Sequence, residues 1–130
     1  MNVLNIIKSF FPYIKKEKRI SWFCNLLGLV LSLDVIFHLI EDNVYYQYMN
    51  NLFNASFKYV TIYSSNYELQ TEAVHVRHRR FTDYIEKNYS NYKLFNVIKN
   101  KYPFDLNDPD NTSFADFYFF RKDIKFTNYV

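Results

Sequence analysis

The sequence predicts a mainly α chain: an N-terminal amphipathic helix, one transmembrane helix, and a small α(+β) C-terminal domain with an aromatic-rich extended or hairpin tail. Three observations carry this. Apolar residues near the N terminus recur at helical spacing, an apolar run over residues 20–40 lies between basic and acidic flanks, and residues 114–120 are strongly aromatic. The corresponding divisions are a basic amphipathic segment at 1–19, the span at 20–40 and a soluble C-terminal domain at 41–130.

Val3, Ile6, Ile7, Phe10, Phe11 and Ile14 fall on one face of a helix over 2–14, with Asn5, Lys8 and Ser9 opposite. Pro12 sits late in that run, where it kinks or ends a helix. A basic block follows, with Lys15, Lys16, Lys18 and Arg19. The run from Ile20 to Ile40 is long enough as a helix, at ~1.5 Å per residue, to cross a hydrocarbon core. Basic residues before it and Glu41 and Asp42 after it place the N terminus on the cytoplasmic or matrix side. The competing reading is a helix buried in protein, which Asp34 and His38 favour. As i, i+4 partners those two can hydrogen-bond each other on one helical face. Ser21, Asn25, Gly28 and Ser32 stack into a small or polar stripe on another face. A helix polar on two faces wants neighbours on both sides, so all six residues are expected at contacts between subunits.

Beyond the span, Tyr45, Tyr48, Met49, Leu52 and Phe53 keep helical spacing, and residues 57–63 alternate as a strand or extended segment. Ser64 to Asn66 is a turn. Val74, His78, Phe81 and Ile85 step as a helix beginning at Thr71, and a further helix is expected to hold Leu94, Phe95, Val97 and Ile98. Residues 105–113 read as a loop. The aromatic stretch that follows, together with Ile124 and Phe126, reads as a hairpin or extended tail.

Composition excludes several chemistries. With a single Gly there is no phosphate-cradling loop or dinucleotide fingerprint, since both need glycine backbone. With Cys24 alone there is no intrachain disulfide, cysteine-based zinc site or iron–sulfur cluster held by this chain. Glu72 and His75 form half of a carboxylate di-iron pattern, His75 and His78 have no evident third ligand, and the loop from Asp105 has Asp110 where a calcium loop needs Gly. No catalytic residue, metal or cofactor is therefore expected. The densest charge is at residues 75–80, where Arg77, Arg79 and Arg80 suit phosphate or carboxylate. With Lys15, Lys16, Lys18 and Arg19 they are candidates for an anionic phospholipid or an acidic partner, and a solvated helix face paired to Glu72 and Asp83 is the alternative.

Phe, Tyr, Met, Ile, Asn and Lys make half of the 130 residues. This bias resembles that of small proteins encoded in A+T-rich organelle genomes, such as those of ciliate mitochondria, and is shared by some large viruses and phages. The resemblance implies a divergent, non-catalytic accessory subunit. A span would place it in a respiratory-chain or ATP-synthase complex of the mitochondrial inner membrane, single-pass with its N terminus in the matrix and other membrane subunits as partners. The alternatives are an RNA-binding protein of an organellar ribosome, with residues 75–80 on phosphate, and a virion protein. The net charge of +3 selects none of them.

Overall fold

The computed structural model describes residues 28–70 and 73–123. Its centre is a mixed four-stranded sheet formed by β1 (Leu29–Leu33), β2 (Tyr59–Ser64), β5 (Tyr92–Ile98) and β6 (Asp116–Lys122), in the order β1-β2-β6-β5. β1 runs parallel to β2, and β6 is antiparallel to both β2 and β5. Helices α1 (Asp42–Ala55) and α2 (Phe81–Asn88) contribute to one core on one side of this sheet. A two-stranded ribbon of β3 (Leu69–Gln70) and β4 (Arg77–His78) links β2 to α2.

The expectation of a mainly α chain with a transmembrane helix is overturned. Residues 28–40, the described part of the expected span, form a turn at Gly28, strand β1, and a 3-10 turn at Ile36–His38. Two residues set this geometry. Gly28 has φ +62 and Asp34 φ +56, left-handed values that continue no right-handed helix. Between them, the Leu-Val-Leu-Ser-Leu stretch is the apolar run of a strand in parallel pairing, which a buried helix segment resembles in sequence. Among the described residues no helix is long and apolar enough to cross a membrane. The single-pass inner-membrane placement, the matrix-side N terminus and the description as a transmembrane subunit fall with the span. The helix expected over 2–14, the basic block at 15–19, Ser21 and Asn25 lie outside the described residues. The boundary expected at residue 40 falls within a βαβ unit, where β1 pairs with β2 across the α1 connection.

Helix α1 forms where the spacing indicated. Tyr45, Met49, Leu52 and Phe53 turn inward at i, i+4, i+7 and i+8, and Asp42 lies in the first turn, where a carboxylate suits the helix dipole. In β2, Val60 and Ile62 point to the helices and are fully buried, while Tyr59 and Tyr63 point away. Tyr118 and Phe120 of β6 continue the inner face, closed by Phe81 and Ile85 of α2 and by Ile36. The Tyr92 hydroxyl donates to the Phe53 and Ser56 carbonyls at 3.3 and 3.1 Å, tying β5 to the end of α1.

Two further helices are corrected. The stretch expected to be helical from Thr71 holds β4 before α2 begins at Phe81, and residues 92–98 are a strand. A β-bulge between Leu94 and Asn96 interrupts the pairing of β5 with β6.

Candidate functional site

Of the residues expected at subunit contacts, the four described ones, Gly28, Ser32, Asp34 and His38, do not share an α-helix. Asp34 is exposed, and its amide donates to the Tyr63 carbonyl at 3.0 Å. Its carboxyl is pushed up by partial burial, with His38 pulling the other way. Exposed His38 places Nδ1 3.2 Å from the His75 carbonyl. Ser32 is buried and accepts from the Tyr48 hydroxyl at 2.8 Å, a joint between β1 and α1. Gly28 turns the chain into β1, and its carbonyl accepts from the amides of Lys58 and Tyr59 at 2.9 and 2.8 Å.

The arginine cluster is divided by the ribbon that carries it. Arg79 is 7% exposed. Its Nη1 donates to Asp42 at 2.6 Å, and its Nη2 to the Leu39 and Ile40 carbonyls at 3.2 and 2.8 Å. Its guanidinium also lies 4.5 Å from the Tyr45 ring centre. Arg77 reaches the same Ile40 carbonyl and Asp42 carboxylate. These bonds, led by the one from Arg79, hold the Asp42 carboxyl below its usual range against the opposing effect of desolvation. Two of the three arginines therefore fasten β4 to the entry of α1. Arg80 is exposed and stands 3.8 Å from Asp83. A polar cleft of about 230 Å³ lies here, but Asp42 and Glu68 line it with the arginines, so its charge is nearly balanced.

Sequence reasoning did not find the pair made by Ser65 and His78. The Ser65 hydroxyl is 2.7 Å from His78 Nδ1, Tyr67 stacks on the imidazole, and burial lowers the His78 pKa. Both residues are closed to solvent, so the pair joins β4 to the end of β2 and leaves no room for a substrate. Among the described residues no group of three or more His, Cys, Asp or Glu could hold a metal ion.

The sheet face turned away from α1 and α2 is the feature with binding capacity. Pairing places Leu29, Leu31 and Leu33 of β1 beside Tyr59, Thr61 and Tyr63 of β2, and these beside Arg121, Phe119 and Phe117 of β6. The bulge adds Phe95, whose ring is 6.2 Å from both Tyr59 and Phe119 and which is 53% exposed. Tyr63 and Phe117 lie 4.4 Å apart, and Phe117 stacks toward Phe119. An apolar cleft of about 230 Å³ opens between Leu29, Tyr59, Phe95 and Phe119. Lys93 pairs opposite Arg121, and Lys58 Nζ lies 5.1 Å from the Tyr59 ring centre, so cations gather at one end. No carboxylate stands on this face within the four strands. The strand at 57–63 and the aromatic run at 114–120 were legible in the sequence; their adjacency was not.

The described residues form an α/β arrangement with two helices on one side of a mixed sheet and, on the other, an aromatic face in which Phe95 is exposed, Tyr59, Tyr63 and Phe117 are half-buried and Phe119 is buried. Comparison with known protein families, with curated proteins and with solved structures yields no match.

Proposed function

We propose that the chain is a non-catalytic RNA-binding module that stacks single-stranded bases on the aromatic face of its sheet. The observation that carries this reading is the exposed Phe95 beside the half-buried Tyr59, Tyr63 and Phe117 on one face of the sheet, backed by the buried Phe119, with cations at one end and no carboxylate on that face of the strands. Aromatic faces accept any base, and neighbouring cations follow the phosphates. The apolar cleft beside Phe95 is a seat for one base, with Arg121 and Lys93 at the end of the strands where its phosphates would lie. The arginine cluster at 77–80 contributes little, because Arg77 and Arg79 are engaged within the fold.

Fluorescence anisotropy with a single-stranded oligouridine tests the reading. With contacts from Lys58, Lys93 and Arg121, log affinity should fall against log salt with a slope of roughly −2, at about −0.7 per phosphate. Phe95→Ala and Phe117→Ala should each weaken binding by roughly 1–3 kcal/mol, the usual worth of one stacked base. Equal affinity for duplex RNA, or binding indifferent to both substitutions, would refute it. The three leucines of β1 favour a second reading, a protein-docking subunit of a larger assembly, because aliphatic side chains on an edge strand offer no stacking surface.

A further inference from the structure

The polar cleft between the entry of α1, the β3–β4 ribbon and the start of α2 is lined by two donors with nothing to receive them. Arg79 commits Nη1 to Asp42 and Nη2 to the Leu39 and Ile40 carbonyls, but among the described residues its Nε has no hydrogen-bond partner. The Tyr45 hydroxyl has none either, although Tyr45 is 2% exposed and Arg79 only 7%. Both side chains line the cleft, and the groups that act electrostatically on the Tyr45 hydroxyl are Arg79, Tyr84, Tyr46 and Glu68, four others of its lining residues. Native folds satisfy nearly all of their buried polar groups, and a lone buried donor is destabilising until an acceptor reaches it. Burial raises the Tyr45 pKa, so the hydroxyl keeps its proton at neutral pH. Two donors in one cleft call for a shared acceptor.

The charges select its class. Three arginines against Asp42 and Glu68 leave one positive charge on the lining. Arg77 and Arg79 share Asp42, and Arg80, 3.8 Å from Asp83, is the most weakly paired of the three. One negative charge balances this lining, while a second would be repelled by the carboxylates. Tyr46 and Tyr84 stack with ring centres 5.3 Å apart and give the cleft an aromatic wall. At about 230 Å³ the cleft is smaller than the roughly 300–1,000 Å³ that holds a drug-sized ligand.

The geometry points to a binding site for a small aromatic monocarboxylate, whose oxygens accept from Arg79 Nε and the Tyr45 hydroxyl beside Arg80 while its ring lies against Tyr46 and Tyr84. The site shares no residue with the aromatic face of the sheet and does not rest on the RNA reading.

Benzoate is the probe, titrated into the isotope-labelled full chain and followed by nuclear magnetic resonance. The Arg79 Nε–H signal should move downfield and saturate. Tyr45→Phe deletes only an unpartnered hydroxyl, so it should fold with an unchanged or higher urea midpoint and bind benzoate about fivefold more weakly, the usual worth of one hydrogen bond. Arg80→Ala, at an exposed position, should also weaken benzoate several-fold, and most at low salt. Ser64→Ala removes another buried hydroxyl without a partner, outside the cleft, and should bind as the parent does. A stationary Arg79 Nε–H signal would overturn the inference, as would either cleft variant binding like the parent, or Ser64→Ala weakening benzoate as much as Tyr45→Phe. Should Tyr45→Phe not fold, Arg80→Ala and the Nε–H signal decide. Benzyl alcohol or benzylamine moving the same signal with equal affinity would overturn the anionic assignment, and tighter binding of phenyl phosphate would overturn it in favour of a doubly charged ligand.

Discussion

Arg79 and Arg80 are adjacent in sequence and carry the same charge, yet their removal should differ by most of the stability that one side chain can contribute. Arg79→Ala deletes two charge-assisted bonds to the Leu39 and Ile40 carbonyls and a guanidinium over the Tyr45 ring. Bonds to a charged group are worth roughly 1.5–3 kcal/mol, and a desolvated cation–π contact about 2 kcal/mol. Arg79 Nε lies buried without a partner, which offsets part of this. The Asp42 contact adds nothing to the sum, because that carboxylate is open to water and keeps Arg77. The expected loss is about 3 kcal/mol, moving a urea midpoint by about 2 M at an m-value near ~1.5 kcal/mol/M. Arg80→Ala removes an exposed side chain 3.8 Å from its carboxylate and should stay within about 0.5 kcal/mol of the parent. Urea unfolding followed by circular dichroism measures both. Equal midpoints for the two variants would show that the cluster acts as one solvated patch, and the argument for an inward Arg79 would be wrong.

Burial lowers the His78 pKa, so the folded state resists protonating it while the unfolded chain does not. Its contribution to stability is complete above the unfolded value of ~6.5 and declines as pH falls from there toward the lower folded pKa; a midpoint scan from pH 8 to pH 5 should show the decline, and a His78→Gln chain should lose it. Gly28→Ala places a Cβ in a left-handed residue 3.2 Å from the Lys58 amide nitrogen and should destabilise by about 1–2 kcal/mol in thermal unfolding. Ile62→Ala, at a fully buried central position, should lose about 2–5 kcal/mol, and a loss under 1 kcal/mol would contradict its place in the core.

Some of this architecture is written locally. The inward positions of α1 and the alternation of β2 can be read because each element has one dry side and one less dry side, which is what periodicity detects. β1 cannot be read that way. A short apolar run flanked by charges satisfies the pattern of a span as well as that of a strand, and what separates them is pairing with β2, 30 residues further on. β5 misleads for a different reason. Its bulge inserts Phe95 into the alternation, so Leu94, Phe95, Val97 and Ile98 acquire helix-like spacing while belonging to a strand. Arg79 read as free for an anionic partner, or as part of a solvated face, because the carbonyls that receive it lie about 40 residues earlier. The candidate site was hidden likewise: each strand shows its own aromatic residues, and only the order β1-β2-β6-β5 brings them onto one surface.

That strand order has a consequence for synthesis. β6, at Asp116–Lys122, is the last described strand to leave the ribosome, yet it lies between β2 and β5. Until it emerges, β2 and β5 each present an unpaired edge lined with aromatic residues, and α1 can pack only on the β1–β2 pair. Closure then requires a late strand to insert between two earlier ones, pairing residues nearly 60 positions apart such as Ile62 and Tyr118. Non-local pairing of this kind is slow and leaves adhesive edges open meanwhile. A nascent chain arrested before residue 116 should therefore bind holdase chaperones, and one extended far enough past residue 122 to free β6 should release them.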